Sequence, residues 1–440
     1  MATITVNNNG ILKKISYSQG ESLLAILQKS NVVIEAPCGG KGICGRCTVV
    51  INGQKEQACR FYPEGDIEVD ISTVSKSILT DSADINSCGT GYGLAVDIGT
   101  TTVAVYLYDL ETGRCLKQTG EKNRQCAYGA DVISRINAAE KVGVKKLQDI
   151  IRTQITDMAS VLTDDLKKIV RVSIAGNTVM EHLFAGLSPE SIGRAPFSPL
   201  SLFGNVVETE TFAEAFADGC TVYMAPAISG YVGGDITAGA YYTGIGQENQ
   251  TVLFIDIGTN GEMMLGNKDG FISCATAAGP VFDSGALWGS NLIDVVARLL
   301  DEGIIDSTGR LEKDYQISEG VVLKAETVRS VQLGKAAIRA GIETLLAKSE
   351  KTCDDVDKVY VAGGFGNYID ADSACTIGMI PMQLKDKIVK VGNTAGKGAA
   401  ELLTDKARTE IRKLTEKISY EELSSSQLFN EFFIDNISFE

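Results

Sequence analysis

Two repeated carboxylate turns and one set of thiols carry most of the chemistry this chain's residues can perform. In Leu94–Val105, LAVDIGTTTVAV, an apolar run leads into Asp97, a glycine and three threonines before apolar alternation resumes. The pattern predicts one strand turning tightly into the next, with a carboxylate at the turn. Backbone N–H groups at Gly99 and the hydroxyls of Thr100, Thr101 and Thr102 can hold phosphate oxygens, and Asp97 can hold a magnesium ion or its waters. Leu253–Leu265, LFIDIGTNGEMML, repeats D-I-G-T at Asp256, Ile257, Gly258 and Thr259, followed by Asn260. A single copy is a weak signal, because Asp-Gly turns occur in many β-hairpins. Two copies, each between apolar strands, point to duplicated lobes facing one nucleotide.

The thiols lie nearer the N-terminus. PCGGKGICGRC spaces Cys38, Cys44 and Cys47 as C-x5-C-x2-C, and Cys59 follows after eleven residues. Four thiolates are the ligand count of a 2Fe–2S cluster, and the glycines let backbone N–H groups turn toward the sulfurs. A four-cysteine zinc site needs the same count, but zinc ribbons usually pair two C-x2-C knuckles and this chain has one. The default for Cys88, Cys115, Cys126, Cys220, Cys274, Cys353 and Cys375 is a small buried apolar residue. His182 is the only histidine, which excludes zinc sites built on a histidine pair and disfavours a histidine-based triad.

These groups must be positioned by several domains, since 440 residues suggest two to four. A net charge of −15 argues against a nucleic-acid backbone as partner. The N-terminus MATITVNNNG has no signal-peptide succession, and no apolar run reaches membrane-spanning length. The expectation is a cytoplasmic protein without a disulfide framework. Residues 1–78 read as a small strand-rich unit, with strands near Ile4–Val6, Leu12–Ile15, Thr48–Ile51 and Ile67–Ile71 and a short helix at Glu21–Lys29. A Ser-, Asp- and Gly-rich linker follows over 79–93. Lys145–Leu162 has helical periodicity, Val170–Ala175 is a buried strand, and Asp235 opens a small-residue helix. Asn291–Leu300 and Val328–Lys348 read as helices. Val359–Phe365 is a strand ending in Gly363 and Gly364, where a flat base or ribose can approach the backbone. Gly396–Leu403 is a helix whose small face can cross another helix closely.

The cysteine loop and its strand–helix order resemble the β-grasp ferredoxins. The order of two D-I-G-T hairpins, an Asp-headed helix, a Gly-Gly strand end and a Gly-Ala-Ala helix is similar to the ATPase superfamily of actin, the sugar kinases and the heat-shock chaperones. Together they resemble the reductive activators of corrinoid enzymes. So do GNTVMEHLFAGLSPESIGRAPFSP (176–199), AAGPVFDSGAL (277–287), AGGFGNYID (362–370) and ELSSSQLFNEFF (422–433). One departure is that only the short linker stands where members of that family carry a sizeable middle domain.

The resemblance implies a multi-domain α/β chain: a 2Fe–2S ferredoxin domain over 1–78, then a two-lobed actin-like, ribonuclease H-like ATPase. Its lobes would span 94–245 and 246–410, with a C-terminal tail over 411–440 packing on them. It further implies that Cys38, Cys44, Cys47 and Cys59 hold the cluster. Asp97 and Asp256 would organise magnesium, and Asp235 would position or deprotonate a water. Thr259, Asn260 and their counterparts in the first turn would bind phosphates, while Gly363, Gly364 and Phe365 seat adenosine. The implied activity is ATP-driven reduction of a corrinoid methyl-carrier protein from Co(II) to Co(I), with an upstream electron donor and room for a homodimer. Two alternatives use the same lobes: an activator of another low-potential metalloenzyme, and a small-molecule kinase with a redox-sensing ferredoxin domain.

Overall fold

The computed structural model describes residues 2–8, 11–17, 20–30, 32, 34, 47–71, 82–247, 249–258, 260–279, 290–318, 321–363 and 369–439. Of the residues singled out above, Cys38, Cys44, Thr259, Gly364 and Phe365 lie outside the described residues.

In the N-terminal unit, Ala2–Asn8 pairs antiparallel with Ile11–Tyr17 and parallel with Ile67–Asp70. Thr48–Ile51 and Gln54–Gln57 complete a five-stranded sheet. Strand alternation buries Ile4, Val6, Ile15, Val49, Ile51, Ile67 and Val69 together. The helix Leu23–Lys29, capped by Ser22 accepting the Ala25 N–H, adds Leu23, Leu24, Ile26 and Leu27 to that core. Gln54–Gln57 has no apolar alternation to announce it. It is an edge strand that pairs with the neighbouring Thr48–Ile51.

Two larger sheets share one arrangement. In the first, Tyr92–Ile98, Thr102–Asp109 and Cys115–Lys122 form an antiparallel meander. Ile169–Gly176 and then Thr221–Met224 add in parallel on the other side of Tyr92–Ile98. In the second, Val252–Ile257, Gly261–Asn267 and Gly270–Thr276 form the meander. Lys358–Ala362 and Ile388–Gly392 add in parallel beyond Val252–Ile257. The sixth strand differs: the first sheet gains Val206–Val207 at its parallel edge, the second gains Ile418–Tyr420 beside its meander.

One face of each sheet is covered by its own helices. Val144–Leu162 turns Leu147, Ile151, Ile155, Met158 and Leu162 onto the first sheet, all buried. Each such side chain contributes about 1.5–3 kcal/mol. Ser290–Asp301 and Ala325–Lys348 do the same for the second. Between the sheets, helix Gly234–Tyr242 gives Ala238 to one core and Ile236 and Ala240 to the other. Helix Thr394–Glu401 crosses it at very short range: a Cβ on Gly398 would sit 2.1 Å from the Ala238 carbonyl oxygen, so only glycine fits. Helices Thr394–Glu401 and Asp405–Thr415 follow a strand of the second sheet, yet Ala399, Ala400, Ala407 and Ile411 pack into the first sheet's core.

The 82–91 segment is laid along the first sheet. Ile85 and Cys88 N–H groups donate to the carbonyls of Gly113 and Leu110, and Tyr108 Oη donates to Ala83. At the C-terminus, Ile418–Tyr420 joins the second sheet, and Gln427–Asp435 lies against Ala325–Lys348 through the Asn436–Glu343 hydrogen bond. Among the described residues, no helix is long and apolar enough to cross a membrane.

Candidate functional site

Asp97 and Asp256 occupy equivalent places. Each is the last but one residue of its sheet's central strand, Tyr92–Ile98 and Val252–Ile257. Asp97 lies opposite Ala104 across its hairpin, whereas Asp256 lies opposite Glu262. The second turn, 258–260, is one residue shorter than the first, 99–102, which changes the facing residue. Asp235 stands in the first turn of Gly234–Tyr242. It is not the cap, which is Gly233, and its Oδ1 accepts the Ile236 N–H. All three aspartates keep an accessible edge within otherwise dense packing.

The first turn is tied down from behind. Asn123 Nδ2 donates to Gly99 O at 2.8 Å and Asn123 N–H to Thr101 O at 2.8 Å. Arg135, fully buried, donates to Thr100 O at 2.7 Å, to Gly129 O and to Gln125 Oε1. A planar trans peptide carries its N–H opposite its C=O. Drawing these three carbonyls back therefore aims the N–H groups of Thr100, Thr101 and Thr102 away from Asn123 and Arg135, as an anion-binding turn requires. In the second turn, the Gly258 N–H donates to Asn260 O at 2.9 Å, and Asn260 Nδ2 reaches Glu262.

Gly363 follows the strand Lys358–Ala362 with φ +90°, and a Cβ there would lie 2.6 Å from Asp256 Oδ1. Its backbone thus closes over the second carboxylate. Asn393 performs a comparable task for the first: its Nδ2 donates to Asp97 Oδ2 at 3.0 Å while its Oδ1 caps the next helix through the Gly396 N–H.

The electrostatics are one-sided. Burial pushes Asp97 up to about 6, against the pull of the Asn393 hydrogen bond. Burial, then the charges of Asp256 and Asp97, pushes Asp235 up to about 8. Glu262 is raised well above the carboxylate range by burial and then by Asp235 and Asp256. Such crowding of like charge is relieved by a cation. Among the described residues, no three His, Cys, Asp or Glu side chains converge closely enough to hold a metal ion by themselves. Asp97, Asp235, Asp256 and Glu262 offer only oxygen donors, the ligand type of a hard cation such as magnesium.

The thiols described are Cys47 and Cys59. Both are buried in the N-terminal core, and the Ala58 N–H donates to Cys47 O at 2.9 Å. Of the other cysteines, Cys126, Cys274 and Cys375 are buried while Cys88, Cys115, Cys220 and Cys353 are partly so. Sequence reasoning passed over Asn123, Arg135, Glu262 and Asn393. Only Glu262 had a usable local signal, since hairpin counting from the second turn places it opposite Asp256.

Comparison with known proteins follows the same division. A family model described as a 2Fe-2S iron-sulfur cluster binding domain matches residues 6–70. One described as the RACo middle region matches 92–248, and one described as the C-terminal domain of RACo, the ASKHA domain, matches 250–288 and 284–440. The corrinoid activation enzyme RamQ of Eubacterium limosum is 30% identical, over 79% of this chain and 70% of its own. The chain belongs to this family of corrinoid activation enzymes. The methylated amine-specific Co(II) corrinoid protein reductase of Methanosarcina barkeri is 25% identical, over 79% of this chain and 77% of its own. A solved reductive activator for a corrinoid, iron-sulfur protein matches with a TM-score of 0.72 at 26% identity, over 100% of this chain and 98% of that one. As a corrinoid activation enzyme, the chain has the α/β multi-domain plan expected from its motifs, a ferredoxin unit ahead of an actin-like ATPase. The region that the family model calls middle is present: it falls on 92–248, the first large sheet and its helices.

Proposed function

We propose that this chain returns a corrinoid protein from Co(II) to Co(I), passing one electron from its 2Fe–2S cluster to the cobalt and coupling the transfer to ATP hydrolysis. The observation that carries the reading is the pair of matching sheets. Each ends its central strand in an aspartate beside a glycine turn, and both follow a ferredoxin-type core. Cys38, Cys44, Cys47 and Cys59 would hold the cluster, which supplies single electrons at low potential. Coupling is needed because an uphill one-electron transfer loses tenfold in its equilibrium for each step of about 59 mV.

The remaining steps belong to the chain's own residues. The turns at Gly99–Thr102 and Gly258–Asn260 clasp the phosphates. Asp97 and Asp256 would hold a magnesium ion or its waters, and that ion would supply neutralisation of phosphate charge. Asp235 orients or deprotonates the attacking water, and Gly363, with Gly364 and Phe365, seats the adenosine. No covalent intermediate on the protein is required, only positioning and charge stabilisation. Closing the two sheets on ATP and reopening after hydrolysis shifts the corrinoid partner between states that differ in reducibility.

The test is an anaerobic visible spectrum of a Co(II) corrinoid methyl-carrier protein mixed with the reduced enzyme, followed with Mg-ATP and with Mg-ADP. A Co(I) band that grows only with ATP is the expected result. Equal growth with ADP would reduce the chain to a simple electron carrier, and hydrolysis without Co(I) would place the target elsewhere. Cys47→Ala is expected to abolish the visible cluster spectrum while leaving ATP binding intact.

A further inference from the structure

The short element that braces the first phosphate turn from behind is also the one that the ferredoxin unit touches. The helical turn Arg124–Ala127 follows the strand Cys115–Lys122 and is capped by Asn123, whose Oδ1 accepts the Gln125 N–H. Asn123, Gln125, Arg135 and Gln154 are all 0% exposed. On one side, Asn123 and Arg135 take the carbonyls of Gly99, Thr100 and Thr101. Arg135 also donates to Gln125 Oε1 at 3.0 Å, which joins brace and turn in one network. On another side the turn is fixed to the helix Val144–Leu162. Gln125 Nε2 donates to Leu147 O at 2.9 Å, and Gln154 accepts the Arg124 N–H at 2.8 Å while donating to Lys122 O. A buried polar network with its partners in place is rigid. The turn therefore moves as one piece with the carbonyls it holds.

Its end meets the N-terminal unit. Gln28 Nε2, 99 positions away in sequence, donates to Ala127 O. Gln28 lies in the last turn of the helix Leu23–Lys29, and the first turn of that helix grips the backbone around Cys59. There the Leu24 N–H donates to Ala58 O at 2.9 Å and the Leu23 N–H to Phe61 O at 2.7 Å. A helix of roughly 10 Å, at 1.5 Å per residue, thus spans from the segment carrying a thiol to the carbonyl of Ala127. The next residue, Lys29, reaches Glu21 instead and takes no part in this contact.

We propose that the turn Arg124–Ala127 is the seat of the ferredoxin unit on the ATPase, and that Gln28 is the positioning residue through which that unit and the first phosphate turn act on each other. The proposal rests on the 99–102 turn binding phosphate and on Cys59 holding the cluster, as argued under the proposed function. Phosphate oxygens on the N–H groups of Thr100, Thr101 and Thr102 fix the carbonyls behind them against Asn123 and Arg135. That fixes Ala127 O for Gln28 and, through the helix, the backbone beside Cys59. Linkage is reciprocal: seating the ferredoxin unit raises nucleotide affinity by the same factor by which nucleotide favours seating.

The experiment is equilibrium titration of the full chain, cluster in place, with the magnesium complex of a non-hydrolysable ATP analogue. The parent is compared with Q28M, Q28K, K29Q, N123A and the Q28M/N123A pair, and the cluster's visible circular dichroism is recorded with and without nucleotide. Q28M keeps the length of the side chain but has no N–H donor. It is expected to weaken nucleotide binding by about threefold to tenfold, the worth of one ordinary hydrogen bond, with an unchanged absorption spectrum. Q28K keeps a donor of similar reach and should stay within about twofold of the parent, as should K29Q, which alters only an exposed ion pair. Nucleotide should change the circular dichroism of the parent and not that of Q28M. N123A weakens binding by itself, and adding Q28M should then cost less than about twofold more, because both act through one turn. Parent-like affinity in Q28M overturns the proposal, as do additive losses in the pair, a Q28K as weak as Q28M, or a dichroism change that survives in Q28M. Should N123A fail to fold, the single variants at Gln28 decide. A parent that binds no nucleotide removes the ATPase reading itself, whereas tight binding indifferent to Gln28 removes only the seat.

Discussion

The two large sheets place an aspartate at the same point and then treat it differently. Asp97 is held by Asn393, which arrives from the far end of the chain, and its turn is braced by Asn123 and Arg135. Asp256 instead faces Glu262 across its own hairpin and is roofed by the backbone of Gly363. Duplication supplies position, and the surroundings supply role. The first carboxylate is oriented by donors from outside its hairpin, the second is crowded by a neighbouring acid. That contrast leaves the first turn braced by side chains from outside its own hairpin.

The largest expected effect comes from removing either carboxylate. Asp97→Ala and Asp256→Ala should each lower kcat for ATP hydrolysis by about a hundredfold or more, with the cluster spectrum unchanged. Turnover that survives either substitution would break the equivalence of the two sheets. The glycines test the asymmetry. A Cβ at Gly99 would meet Thr102 O at 2.9 Å, whereas at Gly258 the nearest atom among the described residues, Asn260 O, is 3.9 Å away. Gly99→Ala should therefore weaken ATP binding by roughly tenfold and Gly258→Ala by less than about twofold, read by equilibrium titration with a nucleotide analogue. Equal effects would mean the turns are interchangeable.

Asn393→Ala removes both a helix cap and the brace on Asp97. It should cost about 1 kcal/mol of stability by denaturant unfolding and lower hydrolysis severalfold, while leaving the geometry at Asp256 alone. The smallest effect is on pH dependence. Asp235 is raised from 3.8 to about 8 in the folded state, so the native protein holds that proton more tightly than the unfolded chain. Stability of the nucleotide-free protein from this group then falls as pH rises through the window between those values. In Asp235→Asn the fall should be shallower, and by pH 9 the variant should melt a few degrees above the parent. A parent and variant with parallel pH curves would remove Asp235 from the crowded set.

Much of this plan was legible because strand-turn-strand signals are local. The two D-I-G-T hairpins, the helix after Gly233 and Gly234, and the strand ending at Gly363 all declare themselves within a dozen residues. The close crossing of the helices was also readable, from the small residues around Gly398. What stayed hidden was what depends on distance along the chain. Asn393 lies almost 300 positions from the Asp97 it holds, and nothing in GNTAGKGA says which carboxylate it will meet. Arg135 looks like any surface arginine on an amphipathic helix until burial and the Thr100 carbonyl are seen together.

Asn393 also has a mechanical meaning. The chain leaves the second sheet at Gly392 and begins a helix on the first sheet at Thr394, so this side chain stands at the point where the two bodies are joined. A small change in the angle between them is converted at once into a change in the gap between an amide and the Asp97 carboxylate. The joint is a short arm whose amide tip meets an ionisable group on the first sheet.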